Sequence, residues 1–494
     1  MSRNKLNETT LVDLPKGGAP LWALLYPNVY KVGMTNLGYH YIYAALKARG
    51  VGAERLFFDS NCRSLEEDRH LAEFPIITAS VSYEPDYINL INMLVDSKIL
   101  PHWRDRAYSN GPVVGIGGAV SYINPLLFSP MADFVCIGDG EVVIDHLVDS
   151  IRDYMIHQDR IRLWEELSTS PYIYVPPLHD ELIMSDKDGI NRKRGRIQDL
   201  SKSLGHSLWL TPEAAFGRTL LLELQRGCFR NCPYCVVPNN FGKAMTRSID
   251  DLTLLLDRFK DLGDFNVGLV TPEAGDHPNL GQLLDAVMKT KKRVSFASLR
   301  IDALNKKVLE ALAMGGKRSI TIAPEVGSDA LRTTLKKHFT NQIILEKLAM
   351  AREYGVNSAK MYFMIGLPGE SDEDILAIAE LSKGIWDSLK IKLVLSVNVF
   401  VPKPGTPFSG EPFIGAYECR RRLNLLHKSL KGYGKVITVR PVDFKGSFKE
   451  YVLSWYGLKE AENILDLTKS DDKGFSNLPV SRVLTQEQLH RLGL

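Results

Sequence analysis

A chain of 494 residues, 45% hydrophobic and 24% charged, is long enough for several globular units and too apolar to be disordered. Its 61 Lys and Arg face 58 Asp and Glu, and a formal charge of +3 excludes a bulk polyanion partner addressed through net charge alone. Six cysteines, three of them clustered, exclude a secreted disulfide framework.

The opening MSRNKLNETTLVDLPKGG is polar, and no run of 18 apolar residues occurs. The expectation is a cytoplasmic protein with no membrane partner. Between residues 21 and 155, apolar runs alternate with amphipathic stretches: LWALLYP, LGYHYIYAALKARG, FPIITASVSY, DYINLINMLVDSKIL, GPVVGIGGA, DFVCIGDGE and VVIDHLVDSIRDYM. This strand and helix repetition predicts a parallel, doubly wound Rossmann-like domain over residues 1–155.

Residues 156–215 read as a linker with a two-stranded excursion, YIYVPP and INRKRGRIQDL about the turn SDKDG. The basic run Arg192, Lys193, Arg194 and Arg196 suits either a solvated strand or contact with RNA. From 216 to 415 the alternation resumes for about six strand and helix units, which predicts an α/β barrel, partial or complete, with its chemistry at the carboxyl ends of the strands. Residues 416–494 then form a small α+β tail of helix, strand and helix. The expected fold class is α/β, a doubly wound Rossmann-like domain followed by a partial (β/α)6 barrel, with the small α+β tail at the end.

ELQRGCFRNCPYC places Cys228, Cys232 and Cys235 directly after the first barrel strand, in C-x-x-x-C-x-x-C spacing. Structural zinc usually takes four protein ligands, and here a fourth cysteine is lacking nearby, so zinc would need His277 or His206. Three thiolates suit an iron–sulfur cluster with one iron left open. Cys62, Cys136 and Cys419 are scattered.

The three cysteines at the head of a strand and helix series resemble the radical S-adenosylmethionine superfamily. The resemblance implies a 4Fe-4S cluster on Cys228, Cys232 and Cys235, whose open iron takes S-adenosylmethionine and whose electron cleaves it to a 5′-deoxyadenosyl radical. It also implies an electron donor of the flavodoxin or ferredoxin type. Tyr234 resembles the aromatic residue near the adenine. SITIAPEVGSDALR offers Glu325, Ser328 and Arg332 at the fourth strand end, and SFASLR offers Arg300 at the third, similar to groups that meet the ribose and methionine parts. YFMIGLPGE resembles the fifth-strand motif that meets adenine, with Gly366, Pro368 and Gly369 setting its turn, and NVFVPKPGTPF resembles the sixth strand end.

The segment before the barrel resembles the cobalamin-binding-type domain of many relatives. Ser80, Ser82, Gly117, Gly118, Gly138, Asp139, Gly140 and Glu141 stand at its predicted strand ends. The D-x-H-x-x-G signature that supplies a cobalt ligand is absent, and His40 falls inside a predicted helix, where packing is the simpler role. The resemblance therefore implies a cobalamin-dependent methyltransferase or related radical carbon chemistry, with cobalamin as a further cofactor. A methylthiotransferase-like enzyme acting on RNA needs a second three-cysteine cluster in the first domain, which has only Cys62 and Cys136. A non-enzymatic corrin or metal carrier is the third reading. The substrate, small molecule, peptide or nucleic acid, is not specified by any of these stretches, and Glu273, Asp276 and His277 at the second strand end either position it or cap a loop.

Overall fold

The computed structural model describes residues 6–179, 193–296, 299–316 and 318–470. The chain divides into two compact units, one holding the described residues up to Thr219 and those from Val452 on, the other running from Leu220 to Tyr451.

In the first unit, β1 (Leu21–Tyr26), β2 (Gly52–Phe57), β3 (Ile76–Ser80), β4 (Val113–Gly117), β5 (Phe134–Cys136) and β6 (Ile173–Tyr174) share one sheet. Its spatial order is β2-β1-β3-β4-β5-β6, parallel as far as β5 and antiparallel at the β6 edge. Chain direction across the sheet reverses between β1 and β3, so their carboxyl ends flank the switch point where doubly wound sheets take ligands. Helices α1 (Leu37–Ala48), α2 (Asp86–Asp96), α3 (Ile144–His157) and α4 (Arg160–Ser168) accompany the sheet. Trp22, Tyr39, Phe57, Phe134 and Ile151 are among the fully buried residues of the core.

Strand β2 escapes the apolar-run reading because Glu54 and Arg55 interrupt it. Both are buried and paired: Glu54 takes the Ser64 hydroxyl and Arg69, while Arg55 forks onto Glu8 at 2.8 and 2.9 Å and onto Glu66 at 2.7 Å. The Arg55 guanidinium also stacks over Trp209 at 3.9 Å. A buried guanidinium is tolerable when every donor is satisfied in this way. Helix α4 lies within the stretch expected as linker. Asp159 caps it by accepting from Arg162 N at 3.0 Å, and Leu163, Trp164 and Leu167 bury one face. The turn SDKDG and Arg192 lie outside the described residues.

The second unit contains β7 (Thr219–Glu223), β8 (Asn266–Val270), β9 (Arg293–Phe296), β10 (Ser319–Glu325), β11 (Ser358–Ile365), β12 (Lys392–Val399) and β13 (Ile437–Val439). The described residues pair as two sheets, β9-β8-β7 and β10-β11-β12-β13. Strand β13 comes from the segment expected as a tail and lies parallel beside β12. Helices α5 (Ile249–Phe259), α6 (Leu280–Lys289), α7 (Lys306–Met314), α8 (Asp329–Thr334), α9 (Asn341–Glu353) and α10 (Asp372–Leu389) follow successive strands, and α11 (Ala416–Ser429) precedes β13. Strand β11 alternates fully buried Ala359, Met361, Phe363 and Ile365 with half-buried Ser358, Lys360, Tyr362 and Met364. Each large apolar side chain so buried contributes about 1.5–3 kcal/mol. That alternation separates a helix-covered face from a face turned into the barrel.

Candidate active site

The cysteine loop leaves β7 through Gly227, whose φ of +76° and close approach to Gly242 O (2.6 Å from a Cβ placed there) fit glycine alone. Asn239 Nδ2 donates to Cys235 O at 2.7 Å and to Cys232 O at 3.4 Å, which holds the second half of the loop. Asn240 Nδ2 reaches Pro404 O at 3.0 Å, and Phe408 N reaches Pro233 O at 3.1 Å, so the loop after β12 braces the cysteine loop from the side.

Cys232 is buried, and Cys228 and Cys235 are half-buried. Burial first, then the neighbouring Cys232 and Cys228, push the Cys235 thiol up to about 11, and burial raises Cys228 as well. Arg230 N donates to Cys228 Sγ at 3.4 Å. Three clustered thiols, two of them held from ionising by burial and one facing an N–H donor, suit a cationic iron centre that stabilises thiolates. Among the described residues, no three His, Cys, Asp or Glu side chains converge as a group able to hold a single ion. Both His277 ring nitrogens are committed to backbone: Nε2 donates to Arg247 O at 3.0 Å and Nδ1 accepts from Asn279 N at 3.2 Å. His206 is buried, with Nδ1 at 2.7 Å from Ser207 O.

The strand-end loops meet the cysteine loop in one apolar cluster. Val326, Leu331 and Leu335 from the region after β10, Leu367 after β11 and Phe400 after β12 pack together, with Tyr234, Met364 and Phe408 against them. At its polar rim, Tyr234 donates to Glu325 Oε1 at 3.2 Å, and Lys337 Nζ donates to the same oxygen at 2.7 Å and to Ala323 O at 2.8 Å. Burial holds the Tyr234 phenol well above its ordinary range, so it stays a donor. Glu325 itself sits at φ +68° beside an irregularity in the β10 to β11 pairing, an uncommon conformation for a non-glycine residue at a strand end. Lys337 has no motif to announce it, and only its buried ion pair identifies it.

The other nominated residues have protein partners of their own. Ser328 caps α8 by accepting from Leu331 N at 3.2 Å and donates to Asp374 at the start of α10. Arg332 is fully buried, donating to Val326 O at 2.8 Å, Asn341 Oδ1 at 2.7 Å and Phe339 O at 3.3 Å, with Asp329 as its acid. It braces the loop after β10 from within. Arg300 forks onto Asp302 with two contacts of 2.9 Å, and its amide donates to Glu273 Oε1 at 3.1 Å. Asp276 pairs with Arg230 of the cysteine loop. Gly366 and Gly369 take φ of +88° and +74° on either side of Pro368, and Gly366 N donates to the buried Glu370 at 2.7 Å.

On the first unit, Asn36 bridges the switch point: its Nδ2 donates to Ser82 Oγ at 2.9 Å and to Tyr26 OH at 3.4 Å. Three of the four crest glycines are filled by the chain itself. A Cβ on Gly118 would lie 2.7 Å from Val81 N, one on Gly138 2.7 Å from Gly195 Cα, and one on Gly140 would strike the Ile42 side chain. Asp139 accepts from Tyr122 OH at 2.7 Å and from Ile197 N at 3.0 Å, and Asp139 N donates to Gly195 O at 2.9 Å. Ser80, Gly117 and Glu141 are half-buried. His40 is wholly buried, its Nδ1 accepting from Leu208 N at 2.9 Å and its ring edge-on to Trp209.

Two family models match the chain, one described as radical SAM proteins, N-terminal, over residues 38–176, the other as the radical SAM superfamily over residues 222–382. The chain is 28% identical over 467 residues to the protein MJ0966 of Methanocaldococcus jannaschii, covering 94% of each. It is 23% identical over 295 residues to the tRNA-2-methylthio-N(6)-dimethylallyladenosine synthase of Methylobacillus flagellatus, covering 56% of this chain and 64% of that one. Among solved structures, the cobalamin-dependent S-adenosylmethionine radical enzyme OxsB with aqua-cobalamin bound is similar in fold, with a TM-score of 0.54 at 14% identity. That match covers 95% of this chain, which spans 63% of the OxsB chain.

Proposed function

Because the chain belongs to the radical S-adenosylmethionine superfamily, we propose that it is an enzyme of cobalamin-assisted radical carbon chemistry, most directly methyl transfer to a substrate in the barrel. The observation that carries the radical reading is the loop of Cys228, Cys232 and Cys235 at the end of β7, tied through Tyr234 to Glu325 at the end of β10. When bound, the cluster and S-adenosylmethionine supply reductive cleavage to a 5′-deoxyadenosyl radical, with an electron from a donor of the flavodoxin or ferredoxin type.

The chain's own residues have separable tasks. The three cysteines hold the cluster. Both protein contacts of Glu325 fall on Oε1, so Oε2 is the oxygen available to a ribose hydroxyl, while Lys337 and Tyr234 fix the carboxylate. Gly366 and Gly369 give the loop after β11 its left-handed turns; a Cβ on Gly366 would strike Ile414, whereas one on Gly369 would meet nothing, so Gly369 is the glycine left open where adenine would pass. Arg332 and Ser328 serve by holding the loop after β10 in place. The corrin part rests on the β2-β1-β3-β4-β5 order of the first sheet and on the half-buried Ser80 and Gly117, since the other crest glycines are spent on close packing.

The test is anaerobic purification with cluster reconstitution. About four iron atoms per chain, 5′-deoxyadenosine on reduction, and retained corrin support the reading. Absence of 5′-deoxyadenosine would leave a corrin or metal carrier. The likeness to methylthiotransferases favours a second reading, RNA modification without cobalamin, which predicts about eight iron atoms per chain. Against it stand the two first-unit cysteines: Cys62 is buried and touches Met93 O, and burial pushes Cys136 up to about 12.

A further inference from the structure

Met364 packs against the same apolar cluster as Tyr234 of the cysteine loop, which identifies its face of β11 as the inner face of the barrel. Two and four residues earlier on that face stand Tyr362 and Lys360. Lys360 Nζ donates to Tyr362 OH at 2.6 Å and lies 4.3 Å from the centre of the Tyr362 ring. Across the sheet, Lys360 pairs in register with Thr321, and Tyr362 with Ser396, both uncharged. No acid lies within ion-pair distance of Lys360 among the described residues, whereas Lys337 and Arg300 are each paired with a carboxylate; Lys392, in register with Ser358 on the same face, is exposed. Tyr362, though not Lys360, also lines a mostly apolar cavity of about 220 Å³ whose polar groups come from Ser295, Arg300, Ser319 and Thr321.

A half-buried ammonium between Thr321 and Val394, with a phenol held beside it and no acid in reach among the described residues, lacks an anion. We propose that Lys360 and Tyr362 read a carboxylate or phosphate group on the substrate. The proposal deepens the reading of the barrel as a radical enzyme's substrate chamber and rests on it. Met364 lies four strand positions beyond Lys360, roughly 13 Å at the usual rise. A substrate that reaches both levels therefore carries its anionic group on the order of 10 Å from the carbon that reacts.

The reconstituted holoenzyme with S-adenosylmethionine bound is titrated calorimetrically with inorganic phosphate and, separately, with succinate. Saturable binding of one of them in the wild type is expected, and the preferred probe distinguishes phosphate from carboxylate. Lys360→Met weakens it about tenfold or more, Tyr362→Phe about threefold, and Lys360→Arg by less than about threefold. Substrate-free cleavage of S-adenosylmethionine to 5′-deoxyadenosine stays at the wild-type rate in all three variants, which shows an intact fold and cofactor site. Equal anion affinity in Lys360→Met and wild type, or no binding of either anion by the wild type, overturns the proposal. If Lys360→Met does not fold, Tyr362→Phe and Lys360→Arg decide by the same comparison. Loss of cleavage in the wild type with Lys360-dependent anion binding retained would instead remove the radical reading and leave the anion site standing.

Discussion

Tyr234 and Glu325, 91 positions apart, share a hydrogen bond of 3.2 Å that joins the cysteine loop to the end of β10. Lys337 supplies the compensating charge at 2.7 Å, and both members of that ion pair are largely sealed from solvent. Removing one member leaves an uncompensated buried charge. Glu325→Ala is expected to lower stability by about 3 kcal/mol, and the double variant with Lys337→Met by clearly less than the sum of the two single losses. Urea unfolding of the four proteins measures this, and strict additivity would show that the pair is not coupled.

Cys232 lies on a loop held by Asn239 and Asn240 and flanked by an independently packed strand core. Cys232→Ala should abolish iron retention and 5′-deoxyadenosine formation while shifting the melting temperature only slightly. Iron analysis and circular dichroism read the two effects apart. Full iron content with normal cleavage would remove Cys232 from the ligand set.

The close approach of Gly138 to Gly195 gives the crest of the first sheet a structural duty. Gly138→Ala, at φ +121° and without room for a Cβ, is expected to cost at least about 2 kcal/mol in the protein free of any corrin. If stability is unchanged and only corrin uptake falls, Gly138 serves a ligand instead.

His40 sets an acid limit on the first unit. Burial, with the Arg55 charge adding to it, lowers its pKa to about 3, while Glu8 partly opposes the shift and His206 adds to it. The unfolded chain binds the proton near pH 6.5 and the folded one does not, so this stabilising contribution is complete above 6.5 and is lost as pH falls toward 3. At pH 5 the loss is about 2 kcal/mol. The denaturant midpoint should fall further between pH 7.5 and pH 5 in the wild type than in His40→Asn, each referred to its own value at pH 7.5; an identical pH dependence would acquit His40.

Much of this architecture is legible from periodicity. The apolar runs of β1, β3, β4 and β5, and of the barrel strands, stand out because both faces of such strands are covered or their register repeats every second residue. Strand β2 is hidden because its burial is electrostatic: Glu54 and Arg55 look like surface residues until Glu8, Glu66 and Arg69 are brought to them from distant positions. The cysteine spacing is local and therefore readable. The company kept by Ser328 and Arg332 is not, since a serine that caps a helix and one that meets a ligand look alike in one dimension, and so do glycines crowded by a ligand or by the chain itself.

Glu8 precedes the first sheet strand by a dozen residues and occupies a polar stretch that a hydropathy plot would discard as dispensable. Its carboxylate nevertheless grips Arg55 with two contacts and receives the Tyr30 hydroxyl at 2.6 Å. Trimming the protein after residue 8 would leave the buried Arg55 with Glu66 as its one remaining acid and two of its contacts unmade, so shortened versions made to ease crystallisation should keep this glutamate or replace Arg55 at the same time.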